Sequence, residues 1–417
     1  MDKHARWIHR SFAAVALLVS LITYSLTVQP TVPFWDCGEF SAAAAWQQVP
    51  HPPGAPFFLA VGRLFHMLLP LGGQPEWDTG VRINFVSVVA SALTIWLLYL
   101  TIVKVIIHFR QRGIESTLDA LHVCGAALVG ALALNFSDTF WFNGVESEVY
   151  ASSSLFVQII VYLMMRWNEQ ADTPGHERYL LAIAYLIGLS TGVHLLSILA
   201  IFSIVYLVYF RRYPQSPKGF VVTTIVALVA FYLVYKVIIM WVPTMLAGNL
   251  PFKNELREYY VENQDWVRFL AIALIGLIGY GVYYGAKRAL PALQLAASAF
   301  LLMLLGYTTY THVLIRANAD PPMNENSPKT FRALVSYLGR EQYGDAPLLF
   351  PRRYEVNDQQ KIRNYRKYGK WYEPVGKQVT RVEVVPLPWL RLLLILGNCC
   401  QHTHHQKHHQ VHKPHRA

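Results

Sequence analysis

Apolar runs of near-bilayer length recur along the first three-quarters of this chain, and they dictate its class. A helix that crosses a hydrocarbon core needs about 20 apolar residues, and about nine runs approach that length. They cover residues 11–28, 82–107, 118–135, 149–166, 179–193, 195–210, 220–242, 267–286 and 289–315. With 54% hydrophobic and only 15% charged residues in 417, the composition is not that of an ordinary soluble protein. The expected fold is an all-α integral membrane protein. One further apolar run, 57–69, rises only ~20 Å as a helix and is expected to lie at the interface or re-enter.

The net charge of +11 is accounted for by loops, so no nucleic-acid partner is implied. With the N-terminus cytoplasmic and the spans alternating, the cytoplasmic segments hold Lys3, Arg6, Arg10, Arg110, Arg112, Arg166, Arg178, Arg211, Arg212, Lys218, Lys287 and Arg288. The opposite loops before residue 316 hold Arg63, Lys253 and Arg257, with Arg82 at a boundary. That bias follows the positive-inside rule and requires 57–69 not to cross. No small-residue cleavage site follows Val28, so the first helix is read as retained. Cys37, Cys124, Cys399 and Cys400 form neither a disulfide framework nor a zinc spacing.

This topology gathers the unusual polar residues on the extracytoplasmic side. The first outer loop is long, and residues 30–56 read PTVPFWDCGEFSAAAAWQQVPHPPGAP, with Asp36, Glu39 and a proline-flanked His51. Arg63 and His66 follow on one helical face, Glu146 and Glu148 lie in the second outer loop, and His194 sits in a tight turn. Each has a plainer reading. Asp36 and Glu39 have the spacing of a capping box for a helix through Trp46. Glu146 and Glu148 could be solvated loop acids, His194 a satisfied histidine between helix ends, and Arg63 with His66 headgroup anchors. The functional reading places a carboxylate base and a cation for phosphate at one membrane rim. A transporter would instead set such groups near mid-membrane on broken helices.

Beyond residue 315 a soluble extracytoplasmic segment is expected over 316–385, with Ser327–Pro328 as a helix start. Its aromatic and basic run, NDQQKIRNYRKYGKWYEP, offers an acceptor surface or a solvated face. The chain ends in a low-complexity tract, 386–417, rich in histidine from His402 to His415. Such tracts can bind metal, but the abrupt change of character reads as a frameshift or truncation artefact, which would leave an inactive chain. The transmembrane domain is then 1–315.

At PTVPFWDCGEF, HPPGAPFF, NGVESEVYA and GLSTGVHLL the chain resembles a bacterial membrane family of formerly unknown function. The resemblance covers roughly residues 7 to 350. The animal relatives of that family are a transmembrane protein O-mannosyltransferase acting on receptor ectodomains, with Gly-Asp-Ser-Gly-Glu followed by His-Pro-Pro-Gly. Both look like multi-span GT-C glycosyltransferases.

The resemblance implies a GT-C-like architecture in the bacterial inner membrane. It also implies a sugar on a polyprenyl phosphate and an inverting transfer to an extracytoplasmic protein or glycan. The family's essential acid falls on Asp36, with Glu39 beside it, while His51, Arg63, His66, Glu146, Glu148 and His194 would bind donor or substrate. Trp35-Asp36-Cys37 departs from Gly-Asp-Ser, which leaves the acids in register and the sugar, mannose in the animal enzymes, open. No phosphate loop and no Asp-X-Asp motif is present, so neither metal nor cofactor is expected. The competing classes are a lipid-linked sugar flippase and a non-catalytic envelope scaffold.

Overall fold

The computed structural model describes residues 3–69, 75–251 and 265–343, with backbone alone at 75–78. The chain begins with α1 (Lys3–Leu26), which proline-rich residues 30–33 separate from α2 (Cys37–Trp46) and α3 (Pro56–Leu68). Next come α4 (Pro75–Arg110), α5 (Thr117–Asn135), short α6 (Asp138–Gly144), α7 (Val149–Gln170) and α8 (Glu177–Ser190). A 3₁₀ turn, Leu195–Leu199, runs into α9 (Ala200–Arg212), followed by α10 (Pro217–Tyr232), a π-helical stretch Leu233–Trp241 and α11 (Val242–Leu246). Two long helices follow, α12 (Asp265–Lys287) and α13 (Pro291–Tyr307), and a 3₁₀ turn joins α13 to α14 (Thr311–Asn318). The last α-helix among the described residues is α15 (Phe331–Leu338), followed by a 3₁₀ turn at Glu341–Tyr343. Among the described residues every regular element is helical, with one isolated β-bridge between Val49 and Asn324.

Among the described residues, eight helical stretches are long and apolar enough to cross a membrane. Of the nine expected runs the exception is 179–193, which folds as the 14-residue α8, about 21 Å long. What α8 lacks in length it recovers in closeness. Gly188 lies against the Met303 backbone and Gly306 against the backbone of Leu189, so α8 and α13 touch main chain to main chain. Small residues permit such contacts where no hydrophobic effect drives helices together. The short apolar run at 57–69 folds as α3, 13 residues from Pro56 to Leu68.

Helix α4 is the axis of the bundle: 67% of its apolar window is buried, against 11–39% in the other seven. It packs on α1, α5 and α7, and its buried Asn84, Ser87, Ser91, Thr94 and Thr101 are short polar residues that fit between helices. Outward-facing Ile225, Val229, Ile272 and Leu277 on α10 and α12 suit lipid. The π-helical stretch disturbs the regular backbone ladder, and the buried Tyr307 hydroxyl donates to the Ile239 carbonyl there, 2.9 Å away.

At one end of the bundle the loops are tied together. Gln29 N–H donates to the Val145 carbonyl (3.0 Å), and Asn84 Nδ2 donates to the carbonyls of Gln29 (2.8 Å) and Thr31 (3.2 Å). The segment after α14 returns to this end. The helix start expected at Ser327–Pro328 lies three residues later. Thr330 is the cap of α15, its hydroxyl accepting from Ala333 N–H (3.2 Å), while Ser327 takes a left-handed backbone. Residues 3–343 belong to one compact unit, and the basic run and His-rich tail lie outside the described residues.

Candidate active site

The site is built where α2 and the proline-flanked turn at 50–56 fold back on each other. Asp36 stands at the N-cap position of α2 and Glu39 three residues on, as the capping spacing predicts, and the helix does run through Trp46. The capping box itself does not form. The Asp36 side chain makes no cap hydrogen bond, and the Glu39 carboxylate turns to His51. Its Oε1 accepts from the His51 backbone N–H (2.6 Å) and its Oε2 from ring Nδ1 (2.6 Å). A charge-assisted bond to a partner twelve residues away outcompetes the local cap.

Held through Nδ1, the imidazole directs Nε2 toward Asp36, whose Oδ2 lies 3.8 Å away, beyond hydrogen-bond reach. Burial raises the proton affinity of Glu39, but the two bonds from His51 outweigh it and hold the carboxyl below its ordinary range. The bond to Glu39 holds His51 above its ordinary 6.5 against the opposing effect of burial. Asp36 is the open member, its side chain 57% exposed against 24% for Glu39. One donor atom from each of the three lies within 4.8 Å of the others. By ligand type they could hold a divalent cation, although Glu39 is engaged by the ring it would have to share.

A second acidic layer lies beneath. Glu146 and Glu148 are 2% and 7% exposed, so the solvated-loop reading of this pair is corrected. The sequence of the second loop gave no sign of burial, because what covers it is α2, from another part of the chain. Cys37 Sγ meets Glu148 Oε1 at 3.8 Å, the Ser147 hydroxyl donates to the Cys37 carbonyl (3.0 Å), and the Ser41 and Ser147 hydroxyls are 2.8 Å apart. Burial, then the charge of Glu148, pushes Glu146 up to about 7. Burial also raises Glu148 and the Cys37 thiol. Below neutral pH Glu146 therefore binds a proton readily.

The other expected residues are placed around this centre. His194 caps the 3₁₀ turn, Nδ1 accepting from Leu196 N–H (3.2 Å), and its ring lies 5.3 Å from that of Tyr150 at the head of α7. Burial holds it neutral to lower pH than usual. The residues just before this turn meet the start of α3, whose Phe57 and Phe58 N–H groups donate to the Gly192 carbonyl (2.7 and 3.3 Å). Arg63 points Nη1 at the Ala45 carbonyl, closing the C-terminal end of α2. The His66 carbonyl accepts from Arg82 Nη1 (3.1 Å).

Four groups that sequence reasoning did not single out complete the surround. Arg316 donates through Nε to the Gln47 carbonyl (2.5 Å) and through Nη2 to that of Trp46 (3.3 Å). Gln48 Oε1 accepts from Met323 N–H (2.7 Å), and backbone bonds of 3.0 Å join Val49 to Met323 and Glu325. The Tyr337 hydroxyl, fully buried, donates to the Pro50 carbonyl (2.6 Å). Arg340, exposed at the end of α15, adds a positive charge that opposes protonation of both His51 and His194. No local pattern marks these residues, because the groups they meet lie far away in sequence, as Arg316 to Gln47, Gln48 to Met323 and Tyr337 to Pro50.

Residues 36–217 match the family model described as the N-terminal domain of protein O-mannosyl-transferase TMEM260. The chain is related to that family. A protein O-mannosyl-transferase tmem260 of Dictyostelium discoideum is 28% identical over 188 residues, 43% of this chain and 21% of that protein. TMEM260 of Mus musculus is 27% identical over 179 residues, 43% of this chain and 22% of the mouse protein. The similarity thus spans about a fifth of the length of each relative. No solved structure matches. The match to the family model takes in Asp36, Glu39, His51, Glu146, Glu148 and His194, and stops before Arg316, Tyr337 and Arg340.

Proposed function

We propose that this chain is a GT-C-type membrane glycosyltransferase that moves a sugar from a polyprenyl phosphate to a hydroxyl of an extracytoplasmic protein or glycan. The activity for which the relatives are named, protein O-mannosyl transfer, favours mannose and a protein acceptor. In this reading the basic loops face the cytoplasm of a bacterial inner membrane, and the tied loops holding the acids face outward.

The observation that carries the reading is the unequal pair of acids. Glu39 is committed to His51, while Asp36 is exposed, unbonded and 3.8 Å from the imidazole Nε2. As the acceptor oxygen bonds to the anomeric carbon, the carbon–oxygen bond to the phosphate breaks and the polyprenyl phosphate departs with the electron pair. The hydroxyl proton passes to Asp36, which acts as general base. Glu39 and His51 position it, the imidazole supplying positive charge beside the carboxylate when protonated. Glu146, Glu148 and His194 form the inner wall for the sugar.

Replacing Asp36 by asparagine removes basicity with little change of shape. With a polyprenyl-phosphate mannose and a peptide acceptor, Asp36→Asn is expected to lose ~10²–10⁴-fold in transfer rate while insertion and thermal stability are kept. Transfer at the wild-type rate would exclude Asp36 as the base.

A further inference from the structure

A departing phosphate needs a cation, and the described residues offer few at this site. Arg63 lies on the face expected to meet the donor, yet its guanidinium is directed at the Ala45 carbonyl, and Arg316 is engaged by Gln47 and Trp46. Both close the end of α2. Arg340 differs: among the described residues its guanidinium has no carboxylate or carbonyl partner, and it stacks over the Tyr343 ring at 5.0 Å.

The position of Arg340 is set by the body of α15. Three residues earlier, Tyr337 is fully buried and its hydroxyl donates to the Pro50 carbonyl (2.6 Å), with that of His51 at 3.4 Å. The fit is tight on the other side as well, since Gly54 lies against the Tyr337 ring with no room for a Cβ. Val49 is bridged to Asn324, so two attachments hold the segment over the turn that carries His51. Arg340 lies two residues past the end of α15 in a left-handed backbone (φ 53°), its N–H bonded to the Tyr337 carbonyl (3.0 Å).

We propose that Arg340 binds the phosphate of the polyprenyl donor and receives its charge as the sugar leaves. This rests on the transferase reading above and assigns the donor subsite within it. The geometry is the seat of Tyr337 on the Pro50 and His51 carbonyls, with the Arg340 N–H bonded back to Tyr337, which brings the Arg340 backbone to the His51 turn. In keeping with this, the charge of Arg340 opposes protonation of both His51 and His194. An arginine fork there would engage two phosphate oxygens, which a lysine ammonium cannot match.

The test is native mass spectrometry of the full chain in detergent, titrated with a short-chain polyprenyl monophosphate, the matching polyprenol and inorganic phosphate. Asp36→Asn serves as background, so turnover plays no part. Arg340→Ala is expected to bind the monophosphate about 10- to 100-fold more weakly, Arg340→Lys to recover part, and polyprenol binding to stay unchanged. Because Arg340 is exposed, melting temperature should also stay unchanged. Equal monophosphate affinity in Arg340→Ala would overturn this assignment and leave the transferase reading standing. Absence of monophosphate binding by the parent chain would overturn both. Inorganic phosphate held as tightly as the lipid, and lost in Arg340→Ala, would make this a free-anion site and overturn the donor assignment.

Discussion

The Glu39–His51 pair shows how one hydrogen-bonded contact organises a site. Both groups are shifted by it, Glu39 downward from an ordinary 4.5 and His51 upward from 6.5. The signs define a window. The stabilisation from His51 is complete below about 6.5 and fades as pH rises through its raised folded value. That from Glu39 is complete above about 4.5 and fades as pH falls through its depressed folded value. Glu39→Gln should therefore lower melting temperature most between these limits, with the gap closing at alkaline pH. A pH-independent gap would show that the charges are not coupled. The Gln variant should also titrate His51 at lower pH by NMR, with a corresponding shift in the acid limb of the transfer profile.

At the scale of elements, α2 is a ten-residue helix whose last carbonyls receive arginines from α3 and α14. Its orientation, and with it the aim of Asp36, is therefore set by segments far apart in sequence. The seat of α15 gives a direct measure of this dependence. Tyr337→Phe keeps the ring but leaves the Pro50 carbonyl unpaired, and should cost about 1–3 kcal/mol of stability by chemical denaturation. If the loss is negligible, the segment does not hold the His51 turn. The joint of α8 and α13 is equally specific. Gly188→Ala would drive a methyl group into the Met303 backbone, and the helices must part at a cost of about 1–3 kcal/mol. A variant as stable as its parent would mean that the two helices slide without penalty.

For the whole molecule, every functional claim depends on the tied loops facing outward. A cysteine at Asp138, in a background lacking Cys399 and Cys400, should react with an impermeant maleimide in intact cells, and one at Gly113 should be protected. The opposite pattern would invert the topology and remove the active-site reading. The helical membrane class and nearly all spans were legible in the sequence, because hydrocarbon demands that backbone polar groups be satisfied without water, and long continuous apolar runs do so as helices. The short helix at Pro56–Leu68 was legible by length alone, and Asp36, Glu39 and His51 stood out as polar residues crowded into one proline-rich loop. Their division of labour was not legible: the spacing of Asp36 and Glu39 favours a local cap, and only the returning turn lets His51 capture Glu39. Nor could the second loop announce that Glu146 and Glu148 are buried, since Cys37 and its helix cover them from elsewhere. Local pattern records what a segment satisfies by itself. Burial, pairing and the approach of Tyr337 and Arg340 depend on which distant segments the fold brings together, and that was decided by tertiary structure.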